Sequence, residues 1–172
     1  TPVISSAASD VYKRQGVECE YFLISPDGNS IADSRDTQSK PCYDQSALMR
    51  RYDLIKEICD CMIEMGWGPY QNDHEDANGQ FEMNWDYSDC LKTADRHTFF
   101  KFMVKTIAEK HGLRATFMPK PFGNLTGNGC HAHVSVWQGS KNKFLDNKDK
   151  LGLSKMAYNF LGGVIKNASS LS

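Results

Sequence analysis

Paired acids stand at two places in this sequence, and their spacing would put each pair on one side of the chain. Glu18 and Glu20 are two residues apart in an alternating segment, so both side chains point to one face of a strand. Glu75 and Glu82 flank the turn at residues 77–79, which would fold both carboxylates towards one point. Clustered carboxylates are costly unless a cation neutralises them. Taken singly, each pair is more often a solvated acidic surface.

Two histidines form a third pair, His131 and His133, which again share one face of an alternating segment. A His-x-His pair on a strand occurs both in metal sites and as a structural pair. With the four glutamates it makes a carboxylate-rich set that favours Mg²⁺ or Mn²⁺, whereas zinc would want more His or Cys. Two such cations close together suit phosphoryl transfer.

The composition limits the class of protein. The chain has 172 residues, a formal net charge of −1 and an ordinary apolar content of 40%, which favours one globular domain. This charge predicts neither nucleic acid nor an anionic membrane as a partner, and no apolar run is long enough to span a bilayer. The start lacks a secretory pattern, so the six cysteines are expected to be free thiols in the cytoplasm.

Periodicity predicts an α+β fold, in which a mostly antiparallel sheet carries the acids and histidines and helices cover it. The expected elements are strands at 16–25, 114–118 and 129–138, short strands within 70–87, and helices at 44–65, 94–111 and 154–167. Gly66 and Gly112 suit the positions just after the first two helices. The sheet therefore has to bring the three pairs together.

Three segments resemble the glutamine synthetase family, in that family's order. The run Asn-Asp-His-Glu-Asp-Ala-Asn-Gly-Gln-Phe-Glu at 72–82 resembles its segment with two metal-binding glutamates. Residues 115–122, followed by Gly-Asn-Gly-Cys-His-Ala-His-Val-Ser at 127–135, resemble its ATP- and glutamate-binding signature, and residues 18–20 its paired-glutamate strand. The resemblance covers nearly all of residues 16–172. It is nearest the type III and methylamine-using subgroup.

The resemblance implies a role for each matching residue. The residues it assigns to the metal nearer the glutamate are Glu20, Glu75 and Glu82, and those for the metal nearer the ATP phosphates are Glu18 and His131. Nucleotide contacts fall on His133, Ser135 and Tyr87, and glutamate contacts on Gly127 and Thr126. Thr126 departs from the family, which usually has Asn there. Lys120 lies in the signature loop, where an ion pair and a direct contact are both open.

The implied reaction is the ATP-dependent ligation of ammonia to the γ-carboxylate of glutamate through a γ-glutamyl phosphate, giving glutamine. Mg²⁺ or Mn²⁺ would be the cofactor and ATP the co-substrate, and no catalytic base can be named from these residues. One alternative is a γ-glutamylmethylamide ligase or another glutamate–amine ligase. A second alternative, from another class, is a non-catalytic structural protein of the same family. The family also assembles into homo-oligomeric rings whose sites lie between subunits.

Residues 5–15 resemble the in-frame translation of a transposase-type sequencing adapter. We therefore expect residues 1–15 to be an artefactual leader, and residues 16–172 to be a partial catalytic domain truncated at both ends. The leader is expected to be extended or disordered. On this interpretation the isolated chain would be inactive.

Overall fold

A computed structural model of the chain describes residues 11–170. They form two compact units, residues 16–132 and residues 11–15 with 133–170. The elements in chain order are β1 (Val11–Ile24), α1 (Gln45–Met49), α2 (Tyr52–Glu64), β2 (Pro69–His74), β3 (Gln80–Trp85), β4 (Ser88–Asp89), α3 (Cys90–Lys110), β5 (Arg114–Thr116), β6 (Cys130–Gln138), β7 (Lys141–Asn142), α4 (Lys155–Lys166) and a 3₁₀ turn (Ala168–Ser170). The α+β class is confirmed.

The sheet of the larger unit is antiparallel, with β3 between β2 and β1. Glu20 on β1 lies opposite Glu82 on β3, and Asp73 on β2 lies opposite Glu82 from the other side. β5 pairs with the far end of β1, where Leu23 is opposite Ala115. This register brings acidic residues of three neighbouring strands into one row.

One face of β1 is buried in the core of the larger unit. Its alternating members are Val17, Cys19, Tyr21 and Leu23, as the sequence predicts. Tyr21 is fully buried, and its ring lies 6.2 Å from that of Phe100 on α3. Helix α2 buries Ile58 and Met62 in the same cluster. The apolar stripes of both helices therefore cover one face and leave the acids of β1 on the other.

The predicted helix at 44–65 is two helices, α1 and α2, broken at Arg50 and Arg51. Arg50 donates from Nε to Oδ2 of Asp33 at 2.5 Å, and Arg51 donates from Nη2 to the carbonyl of Ala32 at 2.7 Å. Both guanidinium groups thus bind the loop after β1. The periodicity of the helix carries no trace of these tertiary contacts, which is why the break was not predicted.

The smaller unit contains the β6–β7 hairpin, in which Trp137 lies opposite Asn142, and the helix α4. β7 is not among the strands that the sequence predicts. Ser154, expected to be the first residue of this helix, instead caps it by accepting from the backbone N–H of Ala157. Aromatic packing between Phe144 and Phe160, whose ring centroids are 5.3 Å apart, holds the helix against the loop before it.

Strand β1 begins at Val11, five residues before the predicted start. In the smaller unit, the Arg14 guanidinium lies 4.3 Å from the ring centre of Trp137, and Tyr12 donates from its hydroxyl to the carbonyl of Gly139 at 2.7 Å. The extended form expected of the leader thus holds for residues 11–15, while residues 1–10 lie outside the described part. The leader boundary itself stays a prediction.

Two further expectations concern cysteines and membranes. All six cysteines lie within the described residues and all are free thiols, as predicted. No helix among residues 11–170 is long and apolar enough to cross a membrane.

Candidate metal centre

Glu82 is the meeting point of the acidic residues because its strand, β3, lies between β2 and β1. Its carboxylate lies in one group with Glu18 and His131, and in a second group with Asp73 and Glu75. Within each group, one ligand atom per residue lies within 4.8 Å of the others. The structure thus joins residues that are far apart in sequence into two adjacent clusters of carboxylates, one with an imidazole.

The ionisation of these acids reflects their crowding. Burial, followed by the charges of Glu82 and Glu20, raises the pKa of Glu75 to about 7. The pKa of Glu82 is also raised, mainly by burial, although Asn84 donates to its Oε1 at 2.8 Å. Carboxylates that are this close together and partly buried repel one another unless a cation neutralises them. The donor set, carboxylate oxygens with one imidazole, fits Mg²⁺ or Mn²⁺.

Glu20 has its carboxylate fixed by two donors. Oε2 accepts from Nε2 of Gln80 at 2.8 Å and from the backbone N–H of Gly129 at 2.9 Å. A Cβ at Gly129 would lie 2.9 Å from Oε1 of Glu20 and 3.4 Å from Nε2 of His131, so a side chain there would displace the Glu20 carboxylate. Glu20 therefore faces the same side as the two clusters, with its second oxygen turned towards Gly129.

His131 is exposed, and its Nδ1 lies 3.3 Å from Oε2 of Glu18. The two residues stand on β6 and β1. A histidine paired in this way keeps one ring nitrogen for a neighbour and offers the other to a ligand. Glu18 and His131, which the resemblance assigns to one metal, are thus in contact, and their role as metal ligands stays a prediction.

A buried polar network holds the turn between β2 and β3. Asp36 accepts at Oδ2 from the backbone N–H of Gly79 and lies 2.6 Å from Nε2 of His74. Its Oδ1 accepts from Nδ2 of Asn78 at 3.0 Å. Gly79 has a φ of 76°, which an L side chain rarely adopts, and a Cβ there would also strike Ile31. The network fixes the geometry of the turn between Glu75 and Glu82.

The loop before β6 places Gly127 and Thr126 beside this turn. The Gly127 carbonyl accepts from Nε2 of Gln80 at 3.0 Å, and a Cβ at Gly127 would lie 2.3 Å from the carbonyl oxygen of Pro119. Thr126 donates from Oγ1 to Oδ2 of Asp76 at 2.8 Å. Lys120 donates from Nζ to the carbonyl of Leu125 within the loop. Lys120 thus has a contact within its own loop, and a direct contact with a substrate stays a prediction.

The three residues expected to contact a nucleotide are not all in one unit. Tyr87 belongs to the larger unit and its side chain is exposed. His133 and Ser135 belong to the smaller unit, where the Ser135 Oγ accepts from Nε1 of Trp137 at 2.8 Å. Their assignment to ATP stays a prediction.

Sequence reasoning missed two residues of the site. Asp73 completes the cluster of Glu75 and Glu82, and Gln80 binds Glu20, Gly127 and Asn128 at once. The alternation of β2 and β3 around the Asn-Gly turn carried a signal for both. The hairpin that the turn predicts puts Asp73 opposite Glu82, and Gln80 is two residues before Glu82, on the same face of β3.

Comparison with known protein families gives one match over nearly the whole chain. Residues 4–172 match the family model described as "Glutamine synthetase, catalytic domain". A relative from Rhizobium meliloti called "Glutamine synthetase" is 66% identical over 99% of this chain and 40% of its own length. One from Methyloversatilis universalis called "Glutamate--methylamine ligase" is 44% identical over 91% of this chain and 36% of its own length.

A solved structure called "GmaS/ADP complex-Conformation 1" superposes with a TM-score of 0.90 at 66% identity, covering 95% of this chain and 38% of that one. The chain thus spans about two fifths of the length of the relatives it matches.

Proposed function

This chain belongs to the glutamine synthetase catalytic-domain family, and we propose that the protein joins ammonia to the γ-carboxylate of glutamate at the expense of ATP. The observation that carries the proposal is the pair of clusters that meet at Glu82. A set of partly buried acids this dense is suited to holding divalent cations against a phosphorylated substrate. The family membership supplies the substrates to test.

The residues present fit a two-cation centre. Glu20, Glu75 and Glu82 would hold the cation nearer glutamate, and Glu18 and His131 the one nearer the ATP phosphates. When bound, Mg²⁺ or Mn²⁺ neutralises charge on the phosphate oxygens during in-line transfer. Asp73 joins the first set by its position beside Glu75 and Glu82.

The chain's own groups orient the reactants. The γ-carboxylate oxygen of glutamate attacks the γ-phosphorus of ATP, and ADP leaves. The amine nitrogen then attacks the carbonyl carbon of the acyl phosphate, so that a C–N bond forms, phosphate is released and the amine loses a proton. Gly127, whose carbonyl accepts from Gln80, and Thr126, which donates to Asp76, would contact the glutamate. His133, Ser135 and Tyr87 would contact the nucleotide. A structure that is 66% identical to this chain and is called an ADP complex supports the binding of a nucleotide.

Ammonia is the first choice of amine because the relatives that are 66% and 64% identical are both called glutamine synthetase. Methylamine is the second choice, since a 44% identical relative carries the name of a glutamate–methylamine ligase. The described residues that form the acidic clusters serve the first half-reaction, which both activities share. A non-catalytic family member is the third possibility.

Assembly and location follow the family. We propose a homo-oligomeric ring in which neighbouring subunits complete each site, and a cytoplasmic location, with which six free thiols agree. We also propose that residues 1–15 are a leader of foreign origin. Sequencing the natural gene upstream of the codon for Gly16 tests this, and an uninterrupted gene that encodes residues 5–15 would refute it.

The first experiment measures ATP-dependent phosphate release by the full-length protein with glutamate and Mg²⁺ or Mn²⁺. Ammonium and methylamine are compared at equal concentrations of the free amine. We expect faster release with ammonium, whereas faster release with methylamine would move the protein to the amide-forming alternative. Release with neither amine would favour the non-catalytic family member.

A matched pair of variants connects that activity to the site. Glu82→Gln should abolish phosphate release, because Glu82 belongs to both clusters. Glu64→Gln, on the exposed surface of α2, should leave the rate unchanged. Equal rates in the two variants would separate the activity from the proposed cation centre.

A further inference from the structure

The strands that carry the acidic site also carry two thiols, and these point to the opposite face. Cys19 stands between Glu18 and Glu20, and Cys130 directly precedes His131. Successive side chains of a strand alternate between faces, so Cys19 turns away from the acids into the core cluster that α3 covers. The two thiols therefore lie behind the metal centre.

The strand register makes the two thiols direct neighbours. The backbone N–H of Glu20 donates to the carbonyl of Gly129 at 3.3 Å, and β1 and β6 are neighbours in the sheet. The same two strands bring Glu18 against His131, so they run in opposite directions here. Cys19 therefore lies opposite Cys130 at a non-hydrogen-bonded position, where side chains of adjacent antiparallel strands come closest. The thiols are thus held together by backbone geometry.

A histidine from the covering helix completes the group. One ring nitrogen of His97, on α3, and the sulfurs of Cys19 and Cys130 all lie within 4.8 Å of one another. Nδ1 of His97 is buried and has no hydrogen-bond partner among the described residues. A buried ring nitrogen without a partner is costly, and a cation or a bound water would satisfy it. This histidine plays no part in the acidic clusters.

We propose that Cys19, His97 and Cys130 form a second cation site, which takes a thiophilic ion such as Zn²⁺. Two sulfurs and one imidazole are the ligands zinc prefers, whereas Mg²⁺ and Mn²⁺ prefer the oxygens on the other face. One face of the sheet would therefore bind Zn²⁺ through sulfur and nitrogen, and the other face Mg²⁺ or Mn²⁺ through carboxylate oxygen.

The surroundings favour ligation by His97. Burial, and then the charge of Lys101, lower the pKa of His97, so the ring is neutral near pH 7, the form that binds metal. Cys19 is only 2% exposed, while Cys130 is exposed and gives an ion a way in. Three protein ligands leave a fourth position for water. An ion there would tie β1 to β6 one residue from Glu18 and from His131.

The test uses Co²⁺ as a spectroscopic substitute for zinc in the reduced, metal-stripped, full-length protein. Sulfur bound to Co²⁺ gives an intense near-ultraviolet charge-transfer band, which the oxygen and nitrogen donors of the acidic centre cannot give. We expect this band in the parent protein and its loss when Zn²⁺ is added, but not when Mg²⁺ is added. The measurement does not depend on turnover, so its result is independent of whether the proposed ligase activity is found.

Three variants test which residues produce the charge-transfer band. Cys130→Ser should remove most of it and His97→Gln should weaken it, while Cys90→Ser, at the start of α3, should leave it intact. Far-ultraviolet circular dichroism checks that each variant is folded, and protection of Cys130 from alkylation by Zn²⁺, read by mass spectrometry, gives an independent measurement in the parent protein.

Several results would overturn the proposal. They are the absence of a sulfur-to-cobalt band in the parent, a band that Cys130→Ser leaves unchanged, and alkylation of Cys130 that Zn²⁺ does not slow. A Cys19–Cys130 disulfide formed by peroxide in a protein whose reduced form binds no Co²⁺ through sulfur would also replace the cation site with a redox pair.

Discussion

Glu75 shows at the scale of one residue how the site stores unfavourable charge. Its carboxyl is half-buried beside Glu82 and within the field of Glu20, and its pKa is about 7 rather than the usual 4.5. The folded, metal-free protein therefore binds a proton at Glu75 that the unfolded chain has already lost. Its stability should fall as pH rises from about 4.5 to about 7, and the cost is fully present above that window.

Glu75→Gln should consequently raise the melting temperature of the metal-stripped full-length protein at pH 8, because it removes this repulsion. The same variant should gain less stability from added Mn²⁺, since one ligand is gone. Thermal unfolding with and without Mn²⁺ measures both effects, with Glu64→Gln as the control on the exposed surface of α2. A lower melting temperature in the metal-free variant would show that Glu75 is stabilising rather than strained.

Gly127 is a residue whose lack of a side chain matters. A Cβ there would lie 2.3 Å from the carbonyl oxygen of Pro119, so Gly127→Ala must shift the loop and lengthen the bond from Gln80. We expect kcat/KM for glutamate to fall roughly 10- to 100-fold, as displacements of about 1 Å near a site do.

Gly123→Ala is the matched control for that loop. A Cβ at Gly123 meets nothing within 4 Å, so the kinetics should be unchanged. Steady-state kinetics with varied glutamate distinguish the two variants. Equal parameters for both would show that the loop is not part of the substrate site.

The β2–β3 hairpin shows at the scale of elements how a loop distant in sequence fixes a site. Asp36 follows β1 by twelve residues, yet it binds the turn of the hairpin through Gly79, Asn78 and His74. Asp36 and His74 are both almost fully buried. Their contacts keep the turn that carries Glu75 and Glu82 in a single conformation.

Asp36→Ala should therefore destabilise the protein by about 3 kcal/mol, because it leaves buried donors without an acceptor. The variant should also bind Mn²⁺ more weakly, since the turn loosens. Asp60→Ala, which removes only an exposed i,i+4 ion pair with Lys56, should have little effect on stability. Urea unfolding and Mn²⁺ titration measure these changes. Similar losses in both variants would contradict the role given to Asp36.

The start of α3 and the break between α1 and α2 both differ from the prediction, and they have different physical causes. Asp89 caps α3 through the backbone N–H of Lys92, so the helix starts at Cys90, four residues before the predicted start. The capping residue is local and was open to prediction. The break between α1 and α2 depends instead on Arg50 and Arg51 reaching the loop after β1, which no local pattern encodes.

For the whole molecule, the chain is much shorter than its relatives and spans about two fifths of their length. Helix α4 of the smaller unit buries only Ala157 and leaves Leu161, Val164 and Ile165 exposed. Apolar side chains at helical spacing on one element commonly pack against further protein. The site residues described here are therefore expected to need the rest of the protein.

We predict that the isolated 172-residue chain does not turn over glutamate and ATP, although it carries the acidic clusters. Phosphate release by the purified chain, compared with the full-length protein at equal site concentration, checks this. Mn²⁺ binding by the isolated chain, measured separately, shows whether its clusters form. Turnover by the chain alone would refute the requirement for further segments.

Local patterns determined much of this protein. Alternation separated Cys19 and Tyr21 from Glu18 and Glu20 because neighbouring side chains of a strand must face opposite ways. The Asn-Gly turn determined the hairpin, since its glycine alone adopts the required φ without strain.

Tertiary structure decided which of these faces meet. Glu82 meets Glu18 and His131, Asp36 holds the turn and His97 approaches Cys19 only because strand register and helix packing bring distant segments together. Those contacts depend on the burial of the whole core, and no single pair of residues specifies which segments meet. The sequence pattern therefore identifies the metal-ligand residues, while the tertiary structure alone brings them together.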